Sequence, residues 1–164
     1  WRIRCRFELW VGILMSITVS SNLFVAKVLG AKNQTPKVLL EERQSKQRVE
    51  VAGKILEAQY RVPDGFVVLL TEGNPFEEAL YIYLLSAKLR VIDSLELSAM
   101  YAEAMLRNVS CSNTDELTFS FFDNDEKWVL KIFSTPRNLF FRHFFPVKGK
   151  LPLFHKSRLL LVRA

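Results

Sequence analysis

Apolar and polar positions change rhythm along this chain, and each rhythm predicts a different element. From Val49 onward the period is two. Leu56, Ala58, Tyr60 and Val62 alternate with Glu57, Gln59 and Arg61, which is the signature of a strand with one buried face. Pro63-Asp64-Gly65 follows as a turn: proline presets φ, aspartate bonds its own backbone, and glycine tolerates positive φ. Residues 66–71 (FVVLLT) predict a buried strand pairing back, and Gly53 predicts a bulge in the strand before the turn. Residues 117–122 alternate cleanly, Asp123-Asn124-Asp125-Glu126 is polar, and residues 127–133 alternate again. That is a β-hairpin with a four-residue loop, setting Phe119 and Phe121 against Trp128, Leu130 and Ile132. Thr135-Pro136 ends its second strand. Residues 139–145 (LFFRHFF) form another candidate strand, Pro146 and Gly149 frame a turn, and residues 157–163 suit a sheet edge.

Residues 79–97 admit two readings. Asn74-Pro75-Phe76-Glu77 resembles a helix start, but residues 80–85 are apolar at six successive positions. A helix apolar on every face must be buried all round, so two strands joined at Ser86-Ala87-Lys88 fit better. In the second of them Leu89, Val91, Asp93, Leu95 and Leu97 alternate with Arg90, Ile92, Ser94 and Glu96. Residues 98–106 (SAMYAEAML) are rich in helix formers and predict one short helix.

The N-terminal pattern differs again. Residues 9–26 carry no charge, and as a helix these 18 residues would rise about 27 Å, near the thickness of a bilayer core. Arg2, Arg4 and Arg6 precede the run and Trp10 suits an interface, so a single-pass anchor contacting membrane lipid is expected. Ser16, Thr18, Ser20, Ser21 and Asn22 make the run only moderately apolar. Three readings compete with the anchor: a cleaved signal peptide, for which Val28-Leu29-Gly30-Ala31 is a poor site, a mitochondrial presequence, for which the apolar run is too long, and a buried part of a soluble fold, suggested by the alternation of Ile3, Cys5, Phe7 and Leu9 with charged residues. The weak excess of arginine before the run favours a main domain on the non-cytoplasmic side. Residues 32–48 are strongly charged and suggest a solvated helical stalk. The resulting division is an anchor with basic flank at 1–31, a stalk at 32–48, and one domain at 49–164. The fold class is α+β: a transmembrane helix and stalk, then a β-rich antiparallel meander with one short helix.

Charge sharpens the picture. The formal net charge of +6 over 164 residues is an average of unlike parts. Residues 127–164 hold nine of the 23 Lys and Arg side chains and none of the 17 acidic ones. Aromatic residues interleave with them. Lys127, Trp128, Lys131, Arg137, Phe141, Arg142, Lys148, Lys150, Lys156 and Arg158 are therefore candidates for contact with an anionic surface. Anionic lipid beside the anchor would gain from each basic group near it, as would an acidic protein surface; single-stranded nucleic acid would use phosphate pairing and base stacking. The bland reading places the aromatics in a core and the charges on its solvated face.

Catalytic signals are weak. Asp123-Asn124-Asp125-Glu126 opens like a calcium loop but lacks its glycine and its distal glutamate. His143 and His155, twelve apart, do not supply the three or four ligands of a zinc site. Cys111 has no cationic neighbour in sequence to favour a thiolate, and nucleotide-loop and nucleophile-elbow motifs are missing. Two Asn-x-Ser/Thr triplets begin at Asn33 and Asn108. No cofactor and no catalytic residue is expected. The expected role is a membrane-anchored, non-enzymatic binding or assembly module of the cell envelope. The alternative is a soluble or peripheral protein that binds nucleic acid through its C-terminal segment.

Overall fold

The computed structural model describes residues 16–30, 32–74, 76–139, 146–149 and 156–164. Among them the chain forms thirteen antiparallel strands in three sheets and no helix. Six strands make the largest sheet, in the order β1 (Thr18–Val19), β5 (Ile55–Val62), β6 (Gly65–Thr71), β7 (Ala79–Ser86), β8 (Val91–Ser98) and β12 (Val147–Gly149). A four-stranded sheet runs β13 (Lys156–Arg163), β11 (Lys127–Asn138), β10 (Glu116–Phe122) and β9 (Ala104–Asn113). A three-stranded sheet runs β2 (Leu23–Leu29), β3 (Lys37–Glu42) and β4 (Arg48–Ala52).

The six-stranded sheet is the middle of three layers. Successive side chains of a strand point to opposite faces, and here both faces are covered. Val67, Leu69, Leu80, Ile82 and Leu84 pack with Phe119, Phe121, Trp128, Leu130 and Leu161 of the four-stranded sheet. Phe66, Val68, Leu70 and Leu85 pack with Leu23, Val38, Leu40 and Val51 of the three-stranded sheet. Double coverage is why residues 66–70 and 80–85 are apolar without a break. Residues 79–97 are accordingly the strand pair β7–β8, with a turn at Ala87-Lys88. Gly65 pairs with Ser86, and a Cβ on it would lie 1.8 Å from the Leu85 carbonyl oxygen, so the turn before β6 needs glycine for close approach. The β10–β11 hairpin has the predicted loop, with Phe119 opposite Trp128 and Leu117 opposite Leu130.

Several expectations are corrected. The run 9–26 does not cross a membrane as one helix, because Thr18–Val19 pairs with β5 and Leu23–Leu29 with β3. Its polar residues, a cost in lipid, turn the chain here. The Asn22 backbone N–H donates to Ser20 Oγ at 3.2 Å, and the Gln59 side chain brackets Leu23 with bonds of 2.9 and 2.8 Å. Residues 9–15 lie outside the described residues. Among the described residues no helix is long and apolar enough to span a bilayer. The stretch expected as a helical stalk contains β3, whose Val38 and Leu40 are fully buried; a six-residue strand needs few apolar positions to fill one face.

The short helix expected at 98–106 is instead the last residue of β8, a loop at 99–103 and the start of β9. Tyr101 takes φ 56°, which a right-handed helix excludes, and Ala104 pairs with Phe122. Helix propensity is a weak preference that this pairing overrides. Gly53 (φ 117°) does not bulge a strand. It carries the chain from β4 into β5, its N–H donating to the Pro36 carbonyl at 2.8 Å, and the register shift of β5 falls between Leu56 and Ala58. Pro136 does not end β11 but lies in an irregularity between Ile132 and Arg137, where a missing N–H is tolerated. Val147–Gly149 is a strand rather than a turn. The candidate strand at 139–145 falls outside the described residues beyond Leu139.

Candidate functional site

The structure disperses the basic C-terminal candidates. Trp128 is a core residue, 2% exposed, lying edge-on to Phe122 at 6.3 Å between ring centroids. Arg158 is buried. Lys131 meets Glu116 at 3.2 Å, and Lys148 meets Glu96 at 3.2 Å. The Arg137 guanidinium sits 4.4 Å from the centroid of the Phe133 ring. Lys127 and Lys156 are exposed. Lys127 and Arg137 stand at opposite ends of β11, about 33 Å apart at the rise of a strand. Arg137 and Lys156 are near neighbours, since Asn138 pairs with Lys156. Phe141, Arg142 and Lys150 lie outside the described residues, as do His143 and His155. The described candidates therefore do not form one patch, and three of them, Lys131, Lys148 and Arg158, face carboxylates from earlier in the chain. Sequence reading saw no acidic residue after Glu126; the fold supplies the partners from other strands.

Arg158 belongs to a polar network that is buried except at Asp64, whose side chain is half exposed. Its guanidinium grips Asp64 with two bonds, 2.5 and 3.1 Å, and its Nε donates to the Phe133 carbonyl at 2.8 Å. This satisfies the backbone where β11 bulges away from β13. The guanidinium holds the Asp64 carboxyl below the usual range. Beside it, Asp93 is 8% exposed and accepts from the Ser157 hydroxyl, the Arg158 N–H at 2.9 Å, the Leu159 N–H at 3.1 Å and the Ser94 N–H at 2.8 Å. A buried carboxylate is tolerated when its oxygens are filled this way. The network ties the β5–β6 turn, β8, β11 and β13 together, and that is a structural task. It had a signal in the sequence: Asp93 occupies the apolar phase of the 89–97 alternation.

A second constellation is a cleft of about 420 Å³ where the three-stranded layer stops short of the far strands of the central sheet. Register builds its floor. Tyr81 lies opposite Glu96 and Glu96 opposite Lys148, so these three form a row across β7, β8 and β12; Tyr83 lies opposite Ser94 in the next row. Lys37 and Ala52 of the outer sheet line the cleft as well. The Tyr81 hydroxyl donates to Glu72 Oε1 at 2.5 Å, and the Tyr83 hydroxyl accepts the Ala52 N–H at 3.0 Å, which fixes both rings. Burial pushes both phenols above their ordinary pKa, with Glu72 adding to the effect at Tyr81 and the Ala52 N–H opposing it at Tyr83. They stay neutral hydroxyls. Sequence reading missed this site because Lys37, Ala52 and Lys148 lie far along the chain from β7 and β8, although the two-residue spacing of Tyr81 and Tyr83, and of Ser94 and Glu96, put each pair on one face.

Among the described residues no group of three or more His, Cys, Asp and Glu is placed to hold a metal ion. Cys111 is exposed on β9, and partial desolvation of its thiol raises the pKa, which disfavours a thiolate. Comparison with protein-family models, with curated proteins and with solved structures finds no match.

Proposed function

We propose that this chain is a non-enzymatic binding or assembly module that receives an extended polypeptide segment in the Tyr81–Tyr83 cleft. The observation that carries the reading is the row-on-row arrangement of Tyr81, Glu96 and Lys148 beside Tyr83 and Ser94. The spacing of these rows is that of alternate residues in a strand, so an extended peptide laid along β7 and β8 meets half-buried Tyr83 and Ser94 in one row and Glu96 and Lys148 in the next, where Tyr81 is buried. Tyrosine gives such a site contact area and a hydrogen-bonding tip at little entropic cost. The floor strands are paired throughout the sheet, β7 with β6 and β8, and β8 with β7 and β12.

Panning a random peptide display library on the full chain tests this. Enriched peptides are expected to bind the wild type and to lose roughly tenfold in affinity on Ser94→Trp, which fills the cleft from its half-exposed floor. Failure to enrich any sequence, or binding indifferent to Ser94→Trp, overturns the reading. Salt titrations against single-stranded DNA and anionic vesicles run in parallel. Binding there, with none to peptides, would move the function to the basic C-terminal residues.

A further inference from the structure

A second surface lies at the end of the sandwich where the β8–β9 loop meets the β10–β11 hairpin. Large apolar side chains gather there in one short stretch: Met100 is 74% exposed, Tyr101 84% and Met105 61%. Tyr101 is also held at φ 56°, a conformation an aromatic residue seldom adopts and one that costs energy to maintain. The loop is fixed by the Ala102 N–H donating to the Ala99 carbonyl at 3.3 Å, and the Asp123 N–H donates to the Glu103 carbonyl at 3.1 Å. Those bonds set the loop against a cleft of about 440 Å³ with Ala102 and Phe122 on its apolar side.

The polar side of that cleft is acidic. Glu103, Asp123 and Glu126 line it, outnumbering Arg163, which lines it too. Two arginines answer them incompletely. Arg107 reaches Asp123 only at 3.6 Å, with the carboxylate 70% exposed, and Arg163 meets one oxygen of Glu126 at 3.3 Å. Among the described residues the other Glu126 oxygen is buried without a partner and Glu103 makes no ion pair. Trp128 Nε1, behind Phe122, is buried without an acceptor among them too. Exposed ion pairs of this kind contribute little and exchange readily.

We propose that this end of the sandwich docks a basic polypeptide segment carrying apolar side chains. Met and Tyr supply adaptable apolar contact. Glu103, Asp123 and Glu126 fix the sign of the charge. The formal net charge of the chain is +6, so its mean field repels such a segment. Attraction must therefore come from this local patch, and that makes the charge of the partner a sharp test.

The experiment is fluorescence anisotropy of the full chain with a labelled peptide of Lys, Arg, Leu and Trp, and with a counterpart carrying Glu for Lys and Arg. The basic peptide is expected to bind and the acidic one not to. Glu103→Lys with Asp123→Lys is expected to weaken binding roughly tenfold or more. Tyr101→Asn is expected to weaken it by about the same factor, while asparagine keeps the left-handed backbone. Ser94→Trp, in the other cleft, is expected to change nothing. No binding of the basic peptide, equal binding of the acidic one, indifference to Tyr101→Asn or to the charge reversals, or loss on Ser94→Trp would each overturn the proposal.

Discussion

Strands β6 and β9 are made of the same kind of backbone pairing and could hardly differ more. All seven residues of β6 are buried, and its register against β7 runs without interruption from Gly65 to Thr71. In β9 only Ala104 is buried among the described side chains, three register shifts interrupt its pairing with β10, and Asn108 takes φ 55°. The difference follows from position. A strand covered on both faces and paired on both edges is fixed by packing. A strand with one edge open among the described residues carries unpaired N–H and C=O groups, and irregularity keeps that edge from templating another chain.

The largest test of this contrast is Leu69→Ala. Leu69 is fully buried in the core between the central and four-stranded sheets. Deleting its branched side chain leaves a cavity that two paired neighbours prevent from collapsing, so a loss of about 4 kcal/mol is expected in urea unfolding. A loss near 1 kcal/mol would mean that β6 can relax as an edge strand does, and the contrast would fail.

How much of this was legible in the sequence depends on how local each cause is. The β10–β11 hairpin, the Pro63-Asp64 turn and the β7–β8 pair were readable because alternation and turn chemistry are properties of neighbouring residues. The three-layer stack was present only as a hint, the unbroken apolar run of β6, since the strands that cover it come from both termini. The N-terminal run misled because a short strand, a polar turn and a second strand can leave an uncharged stretch as long as a membrane helix. Asp93 shows the limit most clearly. Its place in the apolar phase announced burial, but its four donors come from Ser94 and from residues 157–159, more than sixty positions away. The scatter of the basic candidates has the same kind of cause, because the carboxylates that meet Lys148 and Arg158 lie far back along the chain.

A second test uses the tyrosines. Burial raises the phenol pKa of Tyr60, Tyr81 and Tyr83 above the ordinary value of 10.0, most strongly at Tyr81. Below about pH 10 both folded and unfolded chains keep these protons, and the groups add no pH dependence. Above it the unfolded chain ionises first and binds fewer protons, so stability falls as pH rises toward the folded-state values. Denaturant midpoints measured from pH 8 to 11 are expected to stay level and then drop, with phenolate absorbance rising as the chain unfolds. Ionisation of Tyr60, Tyr81 and Tyr83 near pH 10 with the fold intact would show that the central sheet is less closed than its burial implies.

The smallest expected effect lies on β9. Met105 is 61% exposed, on a strand already broken by register shifts, so Met105→Thr removes little buried area and places a β-branched residue where a strand accepts one. Stability should change by less than about 0.5 kcal/mol. A larger loss would mean that β9 is packed against something, and the contrast with β6 would weaken. A neutral result is the more informative one when set beside peptide binding at the same end of the sandwich. If Met105→Thr leaves the unfolding midpoint in place and still lowers affinity for the basic peptide, then Met105 serves a contact outside the fold. Exposure that costs the fold nothing to change, yet costs a partner something, is what separates a docking surface from an ordinary sheet edge.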